Sequence, residues 1–238
     1  FEPRTAIGMT HDEFQFWGQG TWHDHKIAYW PDSKRQHPRT GPEIGFLGCY
    51  FNDAGINPMH DEFFAPMSAE APAILKVAMH EGPDLAVSLH SHEAAPALLR
   101  PAYVPLEEQQ RVIGLAERSY ALLAARGLPH GKPFMAQAES GPRPASFNLV
   151  SALYHVSGAT SFTFECPHGI DDPKACQVNL EQILDIQLTL YEAMLQFALE
   201  AKASPAGSDG SGAIAALVEA DWARLQREAR PLPGGRPR

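Results

Sequence analysis

The sequence has little cysteine, little positive charge and no long apolar run, and each shortage removes a class of protein. Its three cysteines, Cys49, Cys166 and Cys176, are odd in number and widely spaced. They therefore make neither a disulfide framework nor a CxxC metal site. Nineteen Lys and Arg stand against 28 Asp and Glu, for a net charge of −9. No basic stripe is left to neutralise phosphates, which argues against a nucleic-acid partner. No apolar stretch approaches the roughly 18 residues a membrane helix needs, so no membrane association is expected. No internal repeat is found. The chain opens at Phe1, without an initiator Met or a signal-peptide pattern.

What is present is enough for a sizeable core: 238 residues, 44% hydrophobic and 20% charged. Eleven histidines is a high count, and many stand beside acids: His11-Asp12, His23-Asp24-His25, His60-Asp61, and His90 to Glu93. Carboxylate-paired imidazoles are the material of metal and acid–base sites, and also of ordinary solvated loops.

Residues 1 to 66 are dense in Gly, Pro, His and aromatics, with few helical patterns. "GQGTWHDHKIAYWP" and "IGFLGCYFNDAGINP" read as short strands joined by long shaped loops. "PMSAEAPAILKVAMHEGP" predicts a helix, with Ser68 as N-cap, Pro72 in the first turn and Gly82-Pro83 as the stop. "DLAVSLH" is the short apolar run expected of a strand buried on both faces. "LEEQQRVIGLAERSYALLAARGLP" predicts a second amphipathic helix ending at Gly127. Residues 128 to 147 read as a Gly/Pro-rich loop, "FNLVSALYHVSG" as a helix, and "ATSFTFE" as a strand ending on Glu165.

Asn179 to Ala203 is the clearest helix of the chain. Asn179 and Gln182 form a capping box, and Leu180, Leu184, Leu188, Tyr191, Leu195 and Ala198 share one face, expected to pack across a sheet. "SPAGSDGSG" is then a flexible linker to a short helix near Ile214 to Arg227 and a flexible tail. The expected organisation is one α/β domain over residues 1–203, followed by linker, helix and tail over 204–238.

Ligands of α/β sheets bind beyond the carboxyl ends of the strands, where this chain puts two ionisable groups, His90 and Glu165. An apolar strand that ends in a carboxylate is costly unless the carboxylate meets a metal, a water or a cation. A zinc hydrolase needs three protein ligands, one open position and a carboxylate that takes the proton of the bound water. His90 is thus a metal-ligand candidate and Glu165 a general-base candidate, although either type also ends strands as a plain surface or salt-bridge residue. His90 and Glu93 satisfy H-x-x-E as text. His92, two residues on, shares the side of His90 and is a second-ligand or substrate-facing candidate. Tyr103, Tyr154 and His155 are polar groups able to reach a substrate or to sit satisfied in a core. Cys166 has no base placed to activate it and reads as structural.

"DLAVSLHSH" and "SFTFECPHG", with His90 and Glu165 separated by 75 positions, resemble the zinc carboxypeptidase family of metallopeptidases. The first matches its strand–His–Ser element, which carries the third zinc ligand. The second matches its strand ending in the general-base glutamate. "NDAGINPMHDEFF" corresponds to the turn bearing the family's Asn–Arg element, and "SAEAPAILKVAMHEGPD" to the helix before the histidine strand. The resemblance covers about residues 45 to 200. It implies a three-layer α/β/α fold with a mixed central sheet, zinc held by His90 and two further ligands, and Glu165 passing a water proton to the leaving amine. The implied substrate is a peptide cleaved at its C-terminal residue.

Two departures qualify that expectation. The family's H-x-x-E motif is absent between Phe1 and Gly45: His11 is followed at the fourth position by Phe14, and His23 by Lys26. The motif is therefore expected upstream of Phe1, the alternative being a member without its metal. "GINPMHDEF" also has no arginine, and offers Asn57 and His60 in its place. Together with Tyr154, and with Arg143 of "SGPRPASFNL" as a carboxylate clamp, these are the substrate-binding candidates. The altered turn keeps two alternatives open: a related deacylase or amidase acting on small N-acyl amino acids, and a metal-free binding protein on the same scaffold.

Overall fold

Five helices and five short strands make up residues 6–29, 43–60, 68–132 and 147–203, the part of the chain described by the computed structural model. In chain order they are α1 (His11–Gln19), β1 (Gly20–Trp22), β2 (Ile44–Leu47), α2 (Glu70–Glu81), β3 (Leu85–His92), β4 (Ala97–Leu99), α3 (Leu106–Ala125), α4 (Leu149–Ser157), β5 (Thr160–Pro167) and α5 (Leu180–Ala203). The expected α/β class is therefore correct. The chain divides into two compact units, Phe1–Ala198 and Leu199–Arg238. The expected linker, short helix and tail of 204–238 lie outside the described residues, as does Arg143.

Two small sheets are present. β1 and β2 pair antiparallel, and a mixed sheet has the order β3-β5-β4, with β3 parallel and β4 antiparallel to β5. Strand alternation gives the mixed sheet two chemically different faces. Val87, Phe162, Phe164, Cys166 and Leu98 point to one side, where Leu115 and Leu123 of α3 and Ile186 and Leu190 of α5 complete a dry core. Ser88, His90, His92, Ser161, Thr163 and Glu165 point to the other. α4 covers only the start of that second face: Val150 and Leu153 pack with Ala86, and Ser161 Oγ donates to the Val150 carbonyl (2.6 Å). The half of this face nearest the carboxyl ends of β3 and β5 is left for polar groups.

Several local expectations hold for the reasons given. Gly82 ends α2 in the left-handed region, and Gly127 follows α3 with positive φ. The capping box of α5 is formed in both directions, Asn179 N to Gln182 Oε1 (3.0 Å) and Gln182 N to Asn179 Oδ1 (2.9 Å). The N-cap of α2 is Ala69 and not Ser68 as expected, although Ser68 Oγ, one residue earlier, accepts from Ala71 N (3.3 Å).

Four further expectations are corrected. β3 is not buried on both faces: among the described residues it pairs with β5 alone, and its own residues are half-buried or exposed. Neither strand ends on its ionisable residue, since β3 runs to His92 and β5 to Pro167. α1 forms in a region that looked helix-poor, because Thr10 and Glu13 make a capping box, with Glu13 N to Thr10 Oγ1 at 3.2 Å and Thr10 N to Glu13 Oε2 at 2.8 Å. Finally, α5 buries the opposite face from the expected one. Ile186, Leu190 and Ala193 are fully buried, whereas Leu184, Leu188 and Leu195 are 57%, 52% and 67% exposed.

Candidate functional site

The open half of the polar sheet face is the floor of a cleft of about 950 Å³. His90, His92, Thr163 and Glu165 contribute from the strands, and His90 and Glu165 are direct partners in the parallel register. Neighbouring strands lie about 4.8 Å apart. Two residues remote in sequence are thus held side by side on one rigid element. One wall is α1, through Phe14, Gln15 and Gln19, with Cys49 and Tyr50 behind it. The other comprises the turn Asn57–His60, the segment after β4 with Arg100 and Ala102, and Asn148, whose side chain caps α4.

Glu165 is the electrostatically unusual group. Burial raises its carboxyl from the ordinary 4.5 to about 7. No hydrogen bond or ion pair to a described residue offsets that loss of hydration. Tyr50 stands close enough to feel it. Burial first, then the charges of Cys49 and Glu165, push the Tyr50 phenol up to about 12, so it remains a protonated donor. The Tyr50 ring lies against α1 because Gly18 has no Cβ; one built there would come within 2.9 Å of the ring.

Burial lowers the pKa of His90, which favours the neutral imidazole a metal or a proton requires. Its Nε2 is 3.0 Å from Ser88 Oγ, two residues back on the same face. His92 Nε2 donates to the Ala95 carbonyl (2.9 Å), which leaves Nδ1 as the lone-pair nitrogen of the neutral ring. His168, only 7% exposed, packs its ring on Phe14 at a centroid distance of 3.9 Å. Burial, then the neighbouring His92 and His11, lower it to about 4, so it too is neutral. Its Nδ1 is buried with no hydrogen-bond partner among the described residues. Glu93 closes this end of the cleft through His11 Nδ1 (2.5 Å), fastening α1 to β3.

The cleft thus gathers His90, His92, Glu165, Asn57 and His60 of the sequence candidates. It does not include Tyr154, whose phenol is raised by burial and by Glu108 and Glu107, carboxylates of α3 outside the cleft. Asn57 Oδ1 already accepts from Met59 N (3.1 Å), so any donation to a ligand comes from its Nδ2. Cys166 lies in the core, its thiol pushed up to about 11, and is inert as expected. Three groups that sequence reasoning did not single out also line the cleft: Tyr50, Arg100 and His168. Only His168 carried a local hint, three residues after Glu165 in "ECPHG".

As a metal centre the arrangement is incomplete. Among the described residues, no group of three or more His, Cys, Asp or Glu side chains is placed to hold an ion. His90 offers one imidazole beside a base, and His92, Glu93 and His168 line the same cleft. The described residues do not by themselves fit a zinc ion. Also among them, no helix is long and apolar enough to cross a membrane. The chain matches no family model, no curated protein and no solved structure.

Proposed function

We propose that the chain is a hydrolase of the zinc carboxypeptidase type, on a three-layer α/β/α scaffold, with Glu165 as the general base. The observation that carries this is the pairing of His90 with Glu165 in register, both facing one cleft at the carboxyl ends of two parallel strands. Structural salt-bridge glutamates have partners, and Glu165 has none among the described residues. A carboxyl raised to about 7 is poised to take and return a proton near neutrality.

Zinc, when bound, polarises a carbonyl and lowers the pKa of water; His90 is the residue here with the position and the neutral ring to serve as a ligand. The described residues do not complete a site for the ion. The chain's own contribution is fixed by chemistry. Glu165 accepts a proton from an attacking water and returns it to the leaving amine, while α1 and the Asn57–His60 turn wall the reaction off from bulk solvent. Substrates are peptides bearing a C-terminal residue to be removed. The turn Asn57–His60 favours a second reading, a deacylase acting on N-acyl amino acids. It offers Asn57 and His60, with no arginine, where an Asn–Arg pair would select peptide termini.

The test is hydrolysis of C-terminal peptides and N-acyl amino acids, with zinc content measured alongside. Glu165→Gln should lower kcat about 10²- to 10⁴-fold with metal content unchanged. Wild-type activity in that variant would remove Glu165 from the mechanism. A wild-type protein that binds peptide but neither zinc nor turns it over is the metal-free binding protein instead.

A further inference from the structure

We infer that the outward stripe of α5 is the interface of a symmetric dimer, and that what covers it is the same stripe of a second copy of this chain. The inference stands apart from the cleft and from the hydrolase reading. α5 meets the core through Ile186, Leu190 and Ala193, all fully buried. A helix turns about 100° per residue, which sets Leu184, Leu188, Tyr191 and Leu195 on its far side. These four, with Leu180 a turn earlier, are each at least 40% exposed. A helix that packs on one neighbour needs one apolar stripe, and this one has two on opposite sides.

The outer stripe has the spacing of a helix–helix seam. Leu184, Leu188, Tyr191 and Leu195 follow one another at steps of four, three and four residues. That alternation is the one by which helices interlock side by side. Next to this ridge lies a hollow of about 290 Å³, bordered by Leu188, Asp185 and Thr189 of α5 and by Arg126 and Leu128 just beyond α3. Arg126 is fastened there, its Nη1 donating to Thr189 Oγ1 (2.6 Å) and its Nη2 to Glu192 Oε2 (2.6 Å). The hollow is therefore a fixed feature of the surface, large enough to receive a leucine side chain. Across a two-fold axis each copy's ridge meets the other's hollow, the self-complementarity that an isologous contact requires.

Area and charge point to the same occupant. Side chains exposed to this degree leave on the order of 500 Å² of contiguous apolar surface, near the top of the range for the largest patch on a monomer. A standard interface takes about 800 Å² from each partner, so the stripe supplies its apolar centre and the flank with Arg126 and Glu192 its polar rim. The chain carries a net charge of −9, and two copies repel over most of their surface. At mid-stripe the pairing of Glu192 with Arg126 lowers that repulsion.

The experiment is sedimentation velocity on the full chain over about 1–100 μM, where an interface of this size should show a monomer–dimer equilibrium. Leu188→Glu changes only the outward side of α5 and should weaken association about thirtyfold or more. Leu188→Gln should weaken it less, and circular dichroism should show both variants folded. Leu106→Glu, at an equally exposed leucine at the start of α3, should leave the dimer as it is. A wild-type chain that stays monomeric over the whole range overturns the assignment, whether its stripe is bare or covered by another segment. So does a dimer that both Leu188 substitutions leave intact.

Discussion

His90 and Glu165, 75 positions apart in the chain, stand directly opposite each other in the parallel ladder of β3 and β5. Parallel neighbours share a face, so pairing alone sets an imidazole and a carboxyl together at the same depth of one cleft. Moving either strand by one residue would put Leu89 or Ser91 beside Glu165 and turn His90 toward the apolar core.

The stability of the chelator-treated chain should depend on pH through Glu165. Its folded value, about 7, lies above its ordinary 4.5, so the folded state holds the proton more tightly. That contribution is fully present below about 4.5 and is lost as pH rises through about 7. Glu165→Gln cannot titrate, so its stability advantage over the wild type should grow across this window in thermal melts. Parallel melting curves for the two proteins would show that the carboxyl is not buried as described.

His168 should act with the opposite sign. Its folded value of about 4 lies below the ordinary 6.5, so the unfolded chain binds the proton first. The stability this neutral imidazole permits is present above 6.5 and lost as pH falls toward 4. His168→Gln should therefore narrow its stability gap to the wild type on acidification. A gap that widens would contradict the burial of the ring against Phe14.

Tyr120→Phe should destabilise by about 1–3 kcal/mol, the cost of a buried amide left without its acceptor. Leu98 N donates to Tyr120 Oη (3.0 Å), and both residues lie in the core between α3 and β4. Urea unfolding measures this directly, and a change under about 0.5 kcal/mol would mean that the amide finds another acceptor.

Gly48→Ala should cost about 1–3 kcal/mol or more, by overpacking. A Cβ there would fall on the backbone of Gly18, Gln19 and Gly20, where no flexible side chain can yield. The same approach carries the bonds Cys49 N to Trp17 O (2.9 Å) and Tyr50 N to Gly18 O (3.1 Å), so the wall holding Tyr50 should loosen as well. Thermal unfolding checks the first effect, and a neutral substitution would refute the close approach.

Elements whose identity depends on local pattern were legible in the sequence. The capping residues Asn179 and Gln182, the stop at Gly82 and the strand around His90 all follow from short stretches of chain. Features decided by distant pairing were not. α5 has two apolar stripes of helical period, one through Ile186, Leu190 and Ala193 and one through Leu184, Leu188 and Leu195. Periodicity alone cannot choose between them. β4 returns antiparallel beside β5 and so carries Arg100 into the cleft, a pairing that no residue near Arg100 announces. α1 was hidden by its composition, although Thr10 and Glu13 spelled its cap.

The second stripe of α5 also bears on heat. Leu180, Leu184, Leu188 and Leu195 are already hydrated in the folded monomer, so its unfolding adds less new apolar surface to water than their number suggests. Apolar hydration is the main source of the heat-capacity increment of unfolding, and exposed area sets the denaturant slope. Both should fall below the values usual for a chain of this length. A small increment flattens the curve of stability against temperature, so this fold should gain little when cooled and lose its stability gradually as it warms.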